Sequence, residues 1–356
     1  MPSDDSSAER RAIRKPSLIF RFIKCLIIAV AVVAGTIAAV VYFNVYLPQG
    51  TGPAGPDVPL EPFKHVWSNR KVMLLGIGDS ITAGYGAREG FSYFDRLVKN
   101  PAPDSRSPRG EAEGPARLAE DDESRRASRG GGDSPDMPGK NLSTVFPNLE
   151  TQNLAVSGST SFEHYEVIKS LQSRPNDVFV IVVMTTGGND LIHNYGQRPP
   201  EEGAMYGASY TQAKPWIDNF ELRLDEMLTH LHKIFPGGCQ IFLANIYDPT
   251  DGTGNTSAWL TGLPAWPDAE RILLAYNATL SKFADKYKYV HLVDIHKPFL
   301  GHGIHCRKFW IKHYHRDDPT YWFYLNIEDP SERGYDAIRR LFLNEMVKVF
   351  AGEKGS

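Results

Sequence analysis

The sequence predicts a three-layer α/β/α domain built on a parallel, five-stranded sheet. Three observations lead there. Short apolar or β-branched runs alternate with stretches of helical periodicity along most of the chain. The run Val178–Met184 is apolar without alternation, as expected of a strand covered on both faces. Several of these runs end in small and polar residues, at the edge where parallel sheets carry ligands and chemistry.

Taken in order, the chain begins with Arg10, Arg11, Arg14, Lys15, Arg21 and Lys24, followed by an uncharged stretch over residues 25–47 that is long enough to cross a bilayer. No Lys or Arg follows until Lys64, so the charge asymmetry predicts a cytoplasmic tail over 1–24, a membrane anchor over 25–47 and an extracytoplasmic remainder. An uncleaved anchor is favoured over a cleaved signal peptide, because the apolar run exceeds a usual signal core and no small-x-small site ends it. Residues 48–64, rich in Pro and Gly, read as an extended linker. The folded domain is expected over 65–351, interrupted by a disordered insertion over 101–140 that has almost nothing to bury.

Within the domain, strands are expected at 72–77, 151–156, 178–184, 240–245 and 290–294. Helices are expected at 90–100, from 160 through 171, along the stripe Trp216, Phe220, Leu224, Met227, Leu228 and Leu231, at 268–287 and at 333–350. A hydrophobic content of 42% over 356 residues allows a sizeable core, and a net charge of −3 makes no case for a nucleic-acid partner. Cys239 and Cys306 could pair in an oxidising compartment or remain free thiols; spacing alone leaves both open.

The first strand runs into Gly78-Asp79-Ser80, which lifts a serine hydroxyl to the end of a strand. The second ends near Ser157-Gly158-Ser159 and the third in Gly187-Gly188-Asn189-Asp190. A nucleophile, a backbone N–H and a side-chain amide are the parts needed to attack an ester carbonyl and hold its oxyanion. In order and context these blocks resemble the SGNH, or GDSL-like, hydrolase family. The resemblance implies a flavodoxin-like sheet, Ser80 as nucleophile, and an oxyanion hole from the Ser80 and Gly158 N–H groups with the Asn189 amide. Asp79 and Asp190 take supporting parts, Asp190 organising its loop. It also implies an O-acylated carbohydrate or lipid substrate; the membrane contact, expected through the N-terminal helix, comes from the charge asymmetry above.

The family's closing block, D-x-x-H-P followed by Gly-Tyr, corresponds here to Asn326-Ile327-Glu328-Asp329-Pro330 with Gly334-Tyr335. Asp329 thus stands at the histidine position and Asn326 at the aspartate position. Three repairs are open. A histidine could come from the loop after the fifth strand, either His302 or His305, with Asp329 orienting it. Asp329 or Glu328 could itself be the base if burial raised its pKa. Or hydrolysis could be lost and a glycan- or lipid-binding cleft retained; an acyltransferase would keep Ser80 and exchange water for an acceptor hydroxyl. The histidines 291, 296, 302, 305, 313 and 315 with Cys306 form no recognised zinc pattern, so neither metal nor cofactor is expected. Asp248 and Asp251 read as turn formers after the fourth strand.

Overall fold

The computed structural model describes residues 18–45, 50, 52–101, 133–256 and 261–351. The chain divides into two units, residues 1–47 and 48–356. The first contains one helix, α1 (Leu18–Val45), whose window Phe22–Ala39 has a mean hydropathy of 2.4 and no buried residue. At a rise of about 1.5 Å per residue, 28 residues span roughly 42 Å, long enough to cross a hydrocarbon core. The helix begins seven residues before the expected anchor and takes in Arg21 and Lys24.

The second unit is a parallel sheet of order β2-β1-β3-β4-β5, formed by β1 (Lys71–Ile77), β2 (Leu149–Asn153), β3 (Val178–Met184), β4 (Cys239–Ala244) and β5 (Val290–Val293). This is the flavodoxin-like order that the family resemblance implies, with its reversal between β1 and β3. The register pairs Ile77 with Met184, Met184 with Leu243, and Ala244 with Val293. The C-terminal strand ends therefore finish at nearly one level.

Alternation along each strand sends Met73, Leu75 and Ile77 to one face with Val180, Val182 and Met184. There they meet α5 (Ser161–Ser170), α7 (Tyr210–Ile234) and α8 (Ala269–Lys286) through Ile168, Phe220, Leu224, Leu228, Tyr276 and Leu280. On the other face lie α3 (Tyr93–Val98), α4 (Leu142–Val145) and α10 (Glu332–Phe350), where Tyr93 stacks on Phe342 at 4.9 Å and Phe242 meets Phe350. The short turns α2 (Ser80–Ala83), α6 (Gly188–Ile192) and α9 (His296–Phe299) follow β1, β3 and β5. Cys239 opens β4, whereas Cys306 lies beyond β5 at the opposite edge. Both are buried free thiols, which closes the disulfide alternative.

Two expectations about the edges of the domain need correction. The stretch read as a linker over 48–64 is packed from Pro53 onward: Ala54 and Val58 are buried, Ala54 N–H donates to Asp336, and the carbonyls of Pro53, Pro56 and Asp57 accept from Arg333, Arg340 and Asn344 of α10. Of the insertion, 102–132 lies outside the described residues, but 133–140 is seated. Met137 is fully buried, Asp133 pairs with Arg339 at 2.5 Å and Asp136 with Arg340 at 2.7 Å. Composition hid both segments: the linker's backbone and the insertion's aspartates find partners on α10 that a linear reading does not bring near.

Arg339 and Arg340 are fully buried on α10, and both also engage Asp336, at 2.5 and 3.0 Å. Asp336 further accepts from the Ser134 hydroxyl at 2.6 Å. Burial pushes its carboxyl up, but Arg339, Arg96 and Arg340 together outweigh that and hold its pKa below the ordinary range. Replacing Asp336 by Ala leaves two buried guanidinium groups under-compensated and lowers unfolding free energy by about 3 kcal/mol in urea titrations. The lowered pKa makes this contribution complete above about pH 4 and lost as pH falls through the folded value, so the gap between wild type and variant narrows in acid.

Candidate active site

Gly78 makes the turn after β1 with φ 147°, and a Cβ there would stand 2.3 Å from the Thr185 hydroxyl. A side chain at this position would force the ends of β1 and β3 apart. Asp79 then caps α2, accepting from Ile81 N–H at 3.1 Å and from the Thr185 hydroxyl at 2.8 Å. Ser80 is the first residue of that turn, so its N–H has no intrahelical acceptor.

The second block sits on the turn at Val156–Ser159, where Ser159 N–H donates to Val156 O at 3.1 Å. Gly158 occupies it with φ 82° and is exposed. Asn189, buried on α6, donates through Nδ2 to Ser159 O at 2.8 Å, and its amide carries a second N–H. Ser80, Asp79 and Asn189 line one cavity, while Gly158 stands outside that lining and is joined to it through the neighbouring Ser159–Asn189 bond. Asp190 turns away from the cavity and accepts from both N–H and hydroxyl of Ser161, with Arg223 3.8 Å away.

His164, which carries no motif signal in the sequence, lies buried between these blocks. Its Nε2 is 2.8 Å from the Ser159 hydroxyl and its Nδ1 2.8 Å from the Thr186 hydroxyl. Burial lowers its pKa to about 4, so it bridges the second and third blocks as a neutral ring.

The closing block forms a tight loop. Tyr324 N–H donates to Asp329 O at 2.6 Å, and Asn326 Oδ1 accepts from Glu328 and Asp329 N–H groups. Ile327 sits at φ 59°, a left-handed conformation that β-branched residues rarely adopt. This loop carries Asp329 to Ser80. The Ser80 side chain lies against the Asp329 carboxyl and draws its pKa down; Asn326 Nδ2 donates to Asp329 Oδ2 at 2.6 Å, and Oδ1 is buried with no well-aligned partner. Desolvation dominates, and the Asp329 pKa is raised overall. Burial and the neighbouring Asp329 lift Glu328 to about 7, and burial lifts Asp79 to about 6.

The expectation that a loop histidine reaches the serine fails in this geometry. His302 stacks on Trp322 at 3.6 Å and its Nδ1 donates to Thr320 O at 2.9 Å. His305 donates from Nε2 to Asn255 O at 2.7 Å. The cause is Asp251, a buried carboxylate that accepts from the N–H groups of Gly301, Gly303 and His305 and winds their loop around itself. Burial lowers the pKa of both rings, His302 to about 4. Neither hydrogen-bonds Ser80 or Asp329.

The model of the GDSL-like Lipase/Acylhydrolase family matches residues 77–337. Solved structures similar to this chain include an extracellular lipase from Streptomyces rimosus, 15% identical, covering 77% of this chain and 99% of the lipase at a TM-score of 0.46. A catalytic mutant of an acetylxylan esterase from Geobacillus stearothermophilus is 17% identical over 79% of this chain and 96% of its own, with a TM-score of 0.43. Phospholipase A1 from Streptomyces albidoflavus is 16% identical over 78% and 99%, with a TM-score of 0.41. No match was found among curated proteins.

The raised pKa of Glu328 means that the folded state holds a proton the unfolded state releases, and this costs stability as pH rises from about 4.3 through about 7. Glu328→Gln removes that cost. Measured by urea denaturation, the substitution is more stabilising at pH 7.5 than at pH 5, by on the order of 1–2 kcal/mol.

Proposed function

This chain belongs to the GDSL-like lipase/acylhydrolase family, and from that premise we propose that it is a serine ester hydrolase in which Asp329 replaces histidine as the base. The observation that carries the reading is the Ser80 side chain lying against the buried Asp329 carboxyl, with the Asn326 amide on its other side. An aspartate at its ordinary pKa of about 3.9 is a weak base at neutral pH, and desolvation improves it. Asn326 then does for Asp329 what the family's aspartate does for histidine: it orients the base.

In this mechanism ionised Asp329 takes the hydroxyl proton as Ser80 Oγ bonds to the acyl carbon. The oxyanion receives hydrogen bonds from the Ser80 and Gly158 N–H groups and the Asn189 amide. Protonated Asp329 gives its proton to the departing alcohol as the ester C–O bond breaks. Water repeats the sequence on the acyl-enzyme, with Asp329 again as base, releasing the carboxylic acid and restoring Ser80. Asp79 supports the Ser80 turn, and Asp190 the second block. The basic residues up to Lys24, and the absence of Lys and Arg from there to Lys64, support a membrane-anchored domain outside the cytoplasm acting on O-acylated carbohydrate or lipid.

The test is kcat/KM of the full-length chain on chromogenic esters. Ser80→Ala abolishes turnover, and Asp329→Asn lowers it roughly 10²–10⁴-fold. The wild-type rate rises with pH along a limb above the ordinary aspartate range, because the base works only when ionised. In the double variant Asn326→Asp, Asp329→His that limb moves toward about 6.5, the imidazole value. Turnover untouched by Ser80→Ala sinks the mechanism, and a chain silent on every ester supports a binding domain instead.

A further inference from the structure

Beside Ser80 the domain contains a cavity of 140 Å³. Its polar lining comprises Asp79, Asn189 and Glu328 near Ser80, with Asp248, Thr250, Thr256 and Glu270 elsewhere; Asp248 and Thr250 are spent on each other and on the N–H groups of Gly252 and Gly254, and Glu270 is exposed. Away from the serine, the walls include Leu191, Ile246 and Leu273 with the rings of Tyr206 and Trp266. Those two rings contribute no free polar atom: the Tyr206 hydroxyl donates to Pro264 O at 2.8 Å, and Trp266 Nε1 donates to Ala208 O at 2.7 Å. They meet at 5.0 Å and present carbon to the cavity.

We propose that this cavity binds the acyl chain, and that the substrate is an ester of a medium-chain acid, about six carbons long, and not an acetate. The proposal rests on the reading of Ser80 as nucleophile. An apolar cavity of about 150 Å³ accommodates benzene, and so six carbons, which sets the length. A sugar ring set against the walls formed by Leu191, Ile246, Leu273, Tyr206 and Trp266 would leave hydroxyl groups without partners there, at a cost an alkyl chain does not meet. The alcohol part of the ester therefore faces outward. An acetyl group would leave most of the cavity unfilled, forfeiting about four-fold in kcat/KM for each methylene not buried.

The test uses the full-length chain in lipid nanodiscs and p-nitrophenyl esters from acetate to dodecanoate. From acetate to hexanoate kcat/KM rises on the order of 10²-fold, then levels off once the cavity is full. Ala269, on the cavity wall at the start of α8, allows the volume to be reduced. Ala269→Leu lowers the hexanoate-to-acetate ratio, and Ala269→Phe lowers it further. A flat or falling profile with Ser80-dependent turnover overturns the chain-binding role and leaves the serine chemistry standing. If no ester is turned over through Ser80, the serine reading fails and binding decides the cavity's role. The probes are 2-octanone and 2-butanone, titrated calorimetrically into the Ser80→Ala chain against empty nanodiscs. Saturable octanone binding, at least about ten-fold tighter than butanone and weakened by Ala269→Phe, supports the assignment. Equal binding of the two ketones overturns it.

Discussion

The seat of α10 depends on charge buried on the helix itself. Arg339 and Arg340 are without solvent, and burying such groups is unfavourable unless each finds a carboxylate in good geometry. Asp336 answers both, and Asp133 and Asp136 complete the set from the end of the insertion. Near the start of the helix Glu332 pairs with Arg88 at 2.5 Å and its carbonyl accepts from Arg96 of α3. The same helix therefore fastens the segment after Pro53, the end of the insertion and the turn after β1. Asp329 lies three residues before it, so the distance between Ser80 and Asp329 follows from where α10 sits.

Burial has a second consequence at the strand ends. The surroundings that make the cavity receptive to hydrocarbon also raise the pKa values of Asp79, Glu328 and Asp329. A carboxylate becomes a better base there, at a cost in stability from each group that must ionise. Burial raises Asp251 likewise, to about 6, but its carboxylate serves structure. Its three backbone donors organise the loop that carries His302 and His305 and keep both rings engaged away from the serine.

Much of the scaffold was legible from local pattern. The run at β3 matched its expected limits, the helices at 161–170, 269–286 and 332–350 fell within a residue or two of expectation, and Gly-rich ends marked the turns after β1 and β3. Strand β2 was displaced: it covers Leu149–Asn153, earlier than expected, because Leu154 and Val156 leave the ladder yet still donate backbone N–H groups to Gly76 and Gly78. His164 was not legible, since a histidine in an amphipathic helix has no pattern that distinguishes a bridge from a surface residue. Nor were the packed ends of the linker and insertion, because the linker's backbone and the insertion's Asp133 and Asp136 find their partners on α10, some two hundred or more positions away.

The sequence by itself determined the family, the parallel α/β architecture and the serine at the end of β1, because periodicity and glycine turns are local and survive in a linear reading. It also determined that Asp329 and Asn326 stand where histidine and aspartate are usual. Only the tertiary structure decided which group meets the serine. That outcome depends on how Asp251 folds one loop and how α10 places another, and on desolvation, which exists only once the chain has closed around the carboxylates.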